Sequence, residues 1–163
     1  MKYLTHSEAD TQALAARFAE GLRPGDVVLL HGDLGAGKSV FVRGAARSLG
    51  VTGAMPSPTF TLLIPYEGRV KLYHFDLYRL SDPEEFYAAG LDEFVGGDGV
   101  ALIEWPEMAE LDPEGAVHVR IGRGALGDEA REIEIDGECL QWREAPSGPT
   151  SPEDSREADP AGA

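Results

Sequence analysis

Residues 31–39 read His-Gly-Asp-Leu-Gly-Ala-Gly-Lys-Ser, and no other stretch constrains the fold as tightly. Gly32, Gly37, Lys38 and Ser39 stand at the G-x-x-x-x-G-K-[ST] spacing of a phosphate-binding loop. Glycines let the backbone turn sharply, so that successive N–H groups face one concavity and bind anionic oxygens. Just upstream, Val27-Val28-Leu29-Leu30 is the continuous apolar run of a strand covered on both faces. Downstream, Val40, Phe41, Ala45 and Leu49 fall at helical spacing between Lys38 and Leu49, and Gly50 supplies the stop. A strand handing a glycine loop to a helix N-terminus requires an α/β layout and brings the partial positive charge of the helix end to the anion. The amides of Gly32, Asp33, Leu34, Gly35, Ala36 and Gly37 line the concavity in this reading. Lys38 reaches the outer phosphates of a nucleoside triphosphate, and the Ser39 hydroxyl ligates Mg2+.

The rest of the chain extends that layout. Ser7 caps a helix with Asp10 three residues on and Leu14, Phe18 and Leu22 along one face. Thr59–Tyr66 and Arg69–Asp76 flank Glu67-Gly68 as a hairpin, and Pro83–Ala89 opens with a helix entry signal after Ser81-Asp82. Val100–Ile103 is a second buried-type strand ending at Glu104, whereas Val117–Ile121 and Arg131–Asp136 alternate as antiparallel strands with one wet face. The expected fold is α/β, a three-layer arrangement of the P-loop NTPase type whose mixed sheet has a parallel centre and antiparallel additions. It occupies residues 1–143. Residues 144–163 (EAPSGPTSPEDSREADPAGA) hold no large apolar side chain, and that composition predicts a disordered acidic tail.

Charge limits the partners. The 163 residues carry 14 Lys+Arg against 29 Asp+Glu, a net charge of −15, and such a surface repels a phosphate backbone. If the protein serves a nucleic acid, a partner does the gripping. No apolar run reaches the ~20 residues of a membrane helix, and Met1–His6 lacks a signal-peptide stretch, so a cytoplasmic location is expected. Cys139 is the lone cysteine and reads as a small packed residue.

Phosphate chemistry on such a loop needs a carboxylate at a strand end to hold the magnesium shell. Glu104 is the first choice for the metal, and Asp76 for positioning water or the second metal shell. Ser57-Pro58-Thr59, stiffened by Pro56 and Pro58, suits a segment that senses the terminal phosphate through Thr59. Trp105 either covers an apolar wall of the site or lies in the core. His31, His74 and His118 read as structural, with His74 near enough to Asp76 in sequence to orient it. Two other functions fit the loop alone: a small-molecule kinase, which needs an arginine-bearing lid, and a nucleotide switch that does not turn over.

Four blocks occur together and in order: GDLGAGKS (32–39), SPTFTL (57–62), YHFDLYRL followed by DPEEF (73–86), and LIEWPE (102–107). This set closely resembles the TsaE family, bacterial P-loop ATPases required for making threonylcarbamoyladenosine in tRNA. The resemblance spans roughly Ser7 to Asp136. It implies ATP hydrolysis in support of TsaD and TsaB, with TsaD transferring the threonylcarbamoyl group to ANN-decoding tRNAs and tRNA met only through those partners. By position it implies that Lys38 and the loop amides bind phosphate and that Ser39 and Glu104 ligate Mg2+. Asp76 becomes a functional acid and Thr59 a switch residue, Ser7 and Glu8 lie by the adenine, and Arg131 approaches the nucleotide. Ser39 stands where threonine is common and Phe60 where tyrosine is common. Such an ATPase is expected to be slow alone and stimulated by its partners.

Overall fold

A computed structural model describes residues 1–58 and 60–137. Thr59, Cys139 and the tail at 144–163 therefore lie outside the described residues. The strands, in chain order, are β1 (Lys2–Thr5), β2 (Val27–His31), β3 (Leu63–Tyr66), β4 (Leu72–Asp76), β5 (Val100–Glu104), β6 (Val117–Arg123) and β7 (Arg131–Asp136). They form one sheet in the order β1-β7-β6-β2-β5-β4-β3. The central strands β6, β2, β5 and β4 run parallel, while β1, β7 and β3 join antiparallel at the flanks, as expected from the sequence.

The apolar run of β2 is buried on both faces because side chains alternate across the sheet. Val28 and Leu30 enter a core with Phe18 of α1 (Glu8–Ala19) and Phe41 of α2 (Lys38–Ser48). Val27 and Leu29 enter a second core with Phe75, Ile103 and Phe86, the last from α3 (Pro83–Ala88). Two short 3₁₀ turns, Leu91–Phe94 and Pro106–Ala109, complete this thinner third layer. Each fully buried Phe contributes about 1.5–3 kcal/mol of apolar stabilisation.

α1 begins where its cap predicts. The Ser7 side chain accepts from the Asp10 amide at 3.1 Å, and the Asp10 carboxylate accepts from the His6 amide at 3.1 Å. Leu22 is buried with the α1 face but lies beyond the end of the helix. α1 and α2 approach closely at Gly44, where a Cβ would stand 2.4 Å from the Gln12 carbonyl oxygen, so no larger residue fits.

One expectation needs correction. The hairpin strands are shorter than their β-forming composition suggests. The Pro58 carbonyl accepts from the amides of Thr61 and Leu62 and turns the chain before β3 begins, and Leu62 has a left-handed φ of 65°. β4 itself has no wet face. All five of its residues are buried, because β3 closes the sheet edge beside it and a layer covers each side. Pro65, which has no N–H for a sheet ladder, sits in β3, the edge strand where that loss costs least.

Candidate functional site

Parallel strands deliver their ligand groups at their C-terminal ends. β2 ends in the glycine loop, β4 in Asp76 and β5 in Glu104, with Glu104 in register with both Leu30 and Asp76. The loop turns into α2 at Gly37, whose φ of 108° is left-handed and suits glycine. α1 and α3 are capped by the side chains of Ser7 and Asp82, but α2 has no side-chain cap and no acidic residue in its first turn. Its leading amides are therefore left for an anion.

A cleft of about 380 Å³ opens over this helix end. Its walls include loop residues 34–39, Glu8 and Thr11 of α1, Ser57, Asp76, Glu104, Trp105, Glu129 and Arg131. Residues spread through most of the chain thus converge on one concavity. Lys38 is only 5% exposed, and its ammonium donates to the Gly32 carbonyl and lies 3.6 Å from the centre of the Trp105 ring. Burial pushes the Lys38 ammonium below the usual lysine range, while the charges of Glu104, Glu107, Asp76 and Asp33 push the other way. Trp105 presents its ring from a left-handed backbone (φ 57°, ψ 49°), a conformation that costs a non-glycine residue about 1–3 kcal/mol. The Tyr78 ring packs against it at 4.9 Å.

The two carboxylates differ in their partners. Glu104, 4% exposed, accepts from His74 Nε2 at 2.7 Å. Asp76 Oδ1 accepts from the Tyr78 amide at 3.1 Å. The expected pairing of His74 with Asp76 is therefore replaced by one with Glu104. Residues two apart on a strand point the same way and stand side by side, so His74 meets the neighbouring strand instead. Arg131, from β7, donates through Nε to the Ala36 carbonyl at 2.7 Å and through Nη1 to the Asp128 and Ala130 carbonyls at 2.6 and 2.8 Å. It braces the loop.

The other expected site residues are placed as follows. Gly32 begins the loop and supplies the carbonyl that holds Lys38. The Asp33 carbonyl accepts from the Ala36 amide at 3.0 Å, closing the turn, and the Asp33 and Leu34 side chains are exposed. Ser7 does not line the cleft; it starts the helix that aims Glu8 there. Thr59 lies outside the described residues, whereas Ser57 reaches the wall. Reading the sequence missed Thr11, Glu129 and the stacking of Trp105 on Lys38. Thr11 had a local signal, since it lies one turn after Ser7 and three residues from Glu8 on α1.

The profile of the TsaE family, threonylcarbamoyl adenosine biosynthesis protein TsaE, matches residues 5–133. The chain belongs to the TsaE family. It is 43% identical over 135 residues to the tRNA threonylcarbamoyladenosine biosynthesis protein TsaE of Bacillus subtilis, spanning 82% of this chain and 83% of that protein. It is 42% identical over 136 residues to the protein of the same name from Treponema pallidum, spanning 83% and 99%. Its fold matches the crystal structure of Bacillus subtilis YdiB with a TM-score of 0.73 at 36% identity, covering 89% of this chain and 90% of that one. The TsaE match runs from the end of β1 into β7 and so takes in every wall of the cleft.

Proposed function

We propose that this TsaE-family protein binds ATP with Mg2+ in the cleft and hydrolyses it in the cytoplasm. In that reading it is the ATPase that supports threonylcarbamoyladenosine formation on tRNA, with TsaD- and TsaB-type proteins as partners. The observation that carries the reading is the meeting, in one cleft, of an uncapped helix N-terminus, the buried Lys38 ammonium and two strand-end carboxylates. The residues present fit the metal. The donors are a hydroxyl (Ser39) and carboxylate oxygens, and among the described residues no group of three or more His, Cys, Asp or Glu is placed to cage an ion. Mg2+ suits such a site, because it takes one or two protein oxygens and completes its shell with phosphate and water.

Lys38 and the loop amides bind the outer phosphates, and Ser39 and Glu104 hold the metal. At about 4 Å, the gross Coulomb attraction between Lys38 and a phosphate charge is about 4 kcal/mol at an effective dielectric of 20, from which the desolvation of both groups is subtracted. When bound, the ion neutralises phosphate charge that an acidic protein otherwise repels. Asp76, anchored by the Tyr78 amide, orients the attacking water. Glu8, from the first turn of α1, lines the same cleft and suits contact with the base. The net charge of −15 supports contact with tRNA through the partners only.

The test is phosphate release from ATP, with and without TsaD, TsaB and tRNA. Multiple turnover that rises with the partners is expected, and Asp76→Ala and Glu104→Ala should fold normally yet lose it. Full turnover in both variants, or transfer of the phosphate to a sugar or nucleoside in preference to water, contradicts the reading.

A further inference from the structure

Where Glu104 lines the cleft, His74 stands beneath it and the two form a nearly solvent-free pair. Each is 4% exposed, they sit on adjacent parallel strands with His74 in register with Leu102, and Nε2 lies 2.7 Å from Oε2. The other ring nitrogen, Nδ1, is buried with no hydrogen-bond partner among the described residues. An ionised carboxylate only accepts, so the hydrogen in this contact belongs to His74 Nε2. The Nε2–H tautomer leaves a bare lone pair at Nδ1, whereas a hydrogen at Nδ1 would bury a donor without an acceptor and turn the Nε2 lone pair against the carboxylate.

We propose that His74 is the positioning residue of the site, holding Oε2 of Glu104 so that the other carboxylate oxygen is presented to the metal in the cleft. This rests on the reading of Glu104 as a magnesium ligand. A glutamate side chain loses rotamer entropy when fixed, and the His74 bond fixes it before any ligand arrives. Hydrogen-bonding partners behind metal ligands are worth about 10–100-fold in metal affinity or activity when removed.

The test uses the full chain and ADP, which is not turned over, with affinity measured by calorimetry in the presence and absence of Mg2+. His74→Leu should shrink the Mg2+-dependent gain in ADP affinity by about tenfold and leave Mg2+-free affinity unchanged. His74→Gln, whose amide nitrogen stands near the place of Nε2, should restore the gain. Imidazole nitrogen NMR of the wild-type protein should find the hydrogen on Nε2, a result the pairing requires whether or not the leucine variant folds. A full gain in His74→Leu, or an Nδ1–H tautomer in the wild type, overturns the role of His74 while Glu104→Ala still loses the gain. A wild-type protein with no Mg2+-dependent gain overturns the metal reading and this inference with it.

Discussion

Gly44→Ala sets two effects of opposite sign against each other. Helix propensity favours alanine over glycine inside α2 by about 0.8–1 kcal/mol. The new Cβ, however, would lie 2.4 Å from the Gln12 carbonyl oxygen and 2.6 Å from its Cα, both backbone atoms of α1. Ordinary contact begins near 3.4 Å, so the helices must separate by about 1 Å. Overpacking costs about 1–3 kcal/mol, and a clash of backbone with Cβ belongs at the top of that range because no side chain can rotate away. The balance is a loss of about 2 kcal/mol. With about 2.1 cal/mol/K of unfolding entropy per residue over the described residues, the melting temperature should fall by about 7 °C. Urea and thermal unfolding check this. The displaced α1 carries Glu8 and Thr11, so nucleotide affinity should also weaken. A more stable Gly44→Ala protein would refute the close approach of the two helices.

The remaining predictions are smaller in scope. Lys38→Ala removes a charge-assisted bond of about 1.5–3 kcal/mol and should weaken ATP binding about 10–150-fold by calorimetry; unchanged affinity counts against the loop assignment. Ser7→Ala removes the α1 cap and should cost about 1 kcal/mol in urea unfolding. His31 is held below the usual histidine range by burial and then by the neighbouring His118, with Glu107 opposing. The unfolded chain therefore takes up the proton more readily, so stability from this group should fall as pH drops from 6.5 toward the folded value. His31→Gln should lose less stability than wild type between pH 7.5 and 5.5, and equal losses contradict the assignment.

What could be read ahead of the structure was local. The β2–loop–α2 unit announces itself because an apolar run, a glycine spacing and a helical period adjoin within residues 27–49. Ser7 and Asp82 announce their helices because a cap is a contact across only two or three residues. β1 could not be read, since its four residues gain meaning only by pairing with β7 at the opposite end of the described chain. The same limit hid His74–Glu104, separated by 30 residues, and put His74 beside the wrong carboxylate. Arg131 reached the reading through family resemblance alone, for its bond to Ala36 spans 95 residues with no local trace. Trp105 carried no sign of its left-handed backbone, which the neighbouring Pro106 and the packing of Tyr78 accompany.

The central claim is that loop amides and the Lys38 ammonium grip the phosphates of a nucleotide in this cleft. A crystal structure with a nonhydrolysable ATP analogue and Mg2+ tests it most directly. The terminal phosphates should lie within hydrogen-bond distance of the amides of Gly35, Gly37, Lys38 and Ser39 and of Lys38 Nζ, with the metal on Ser39 and Glu104. An analogue bound elsewhere, or phosphates that leave Lys38 on the Gly32 carbonyl, would contradict it.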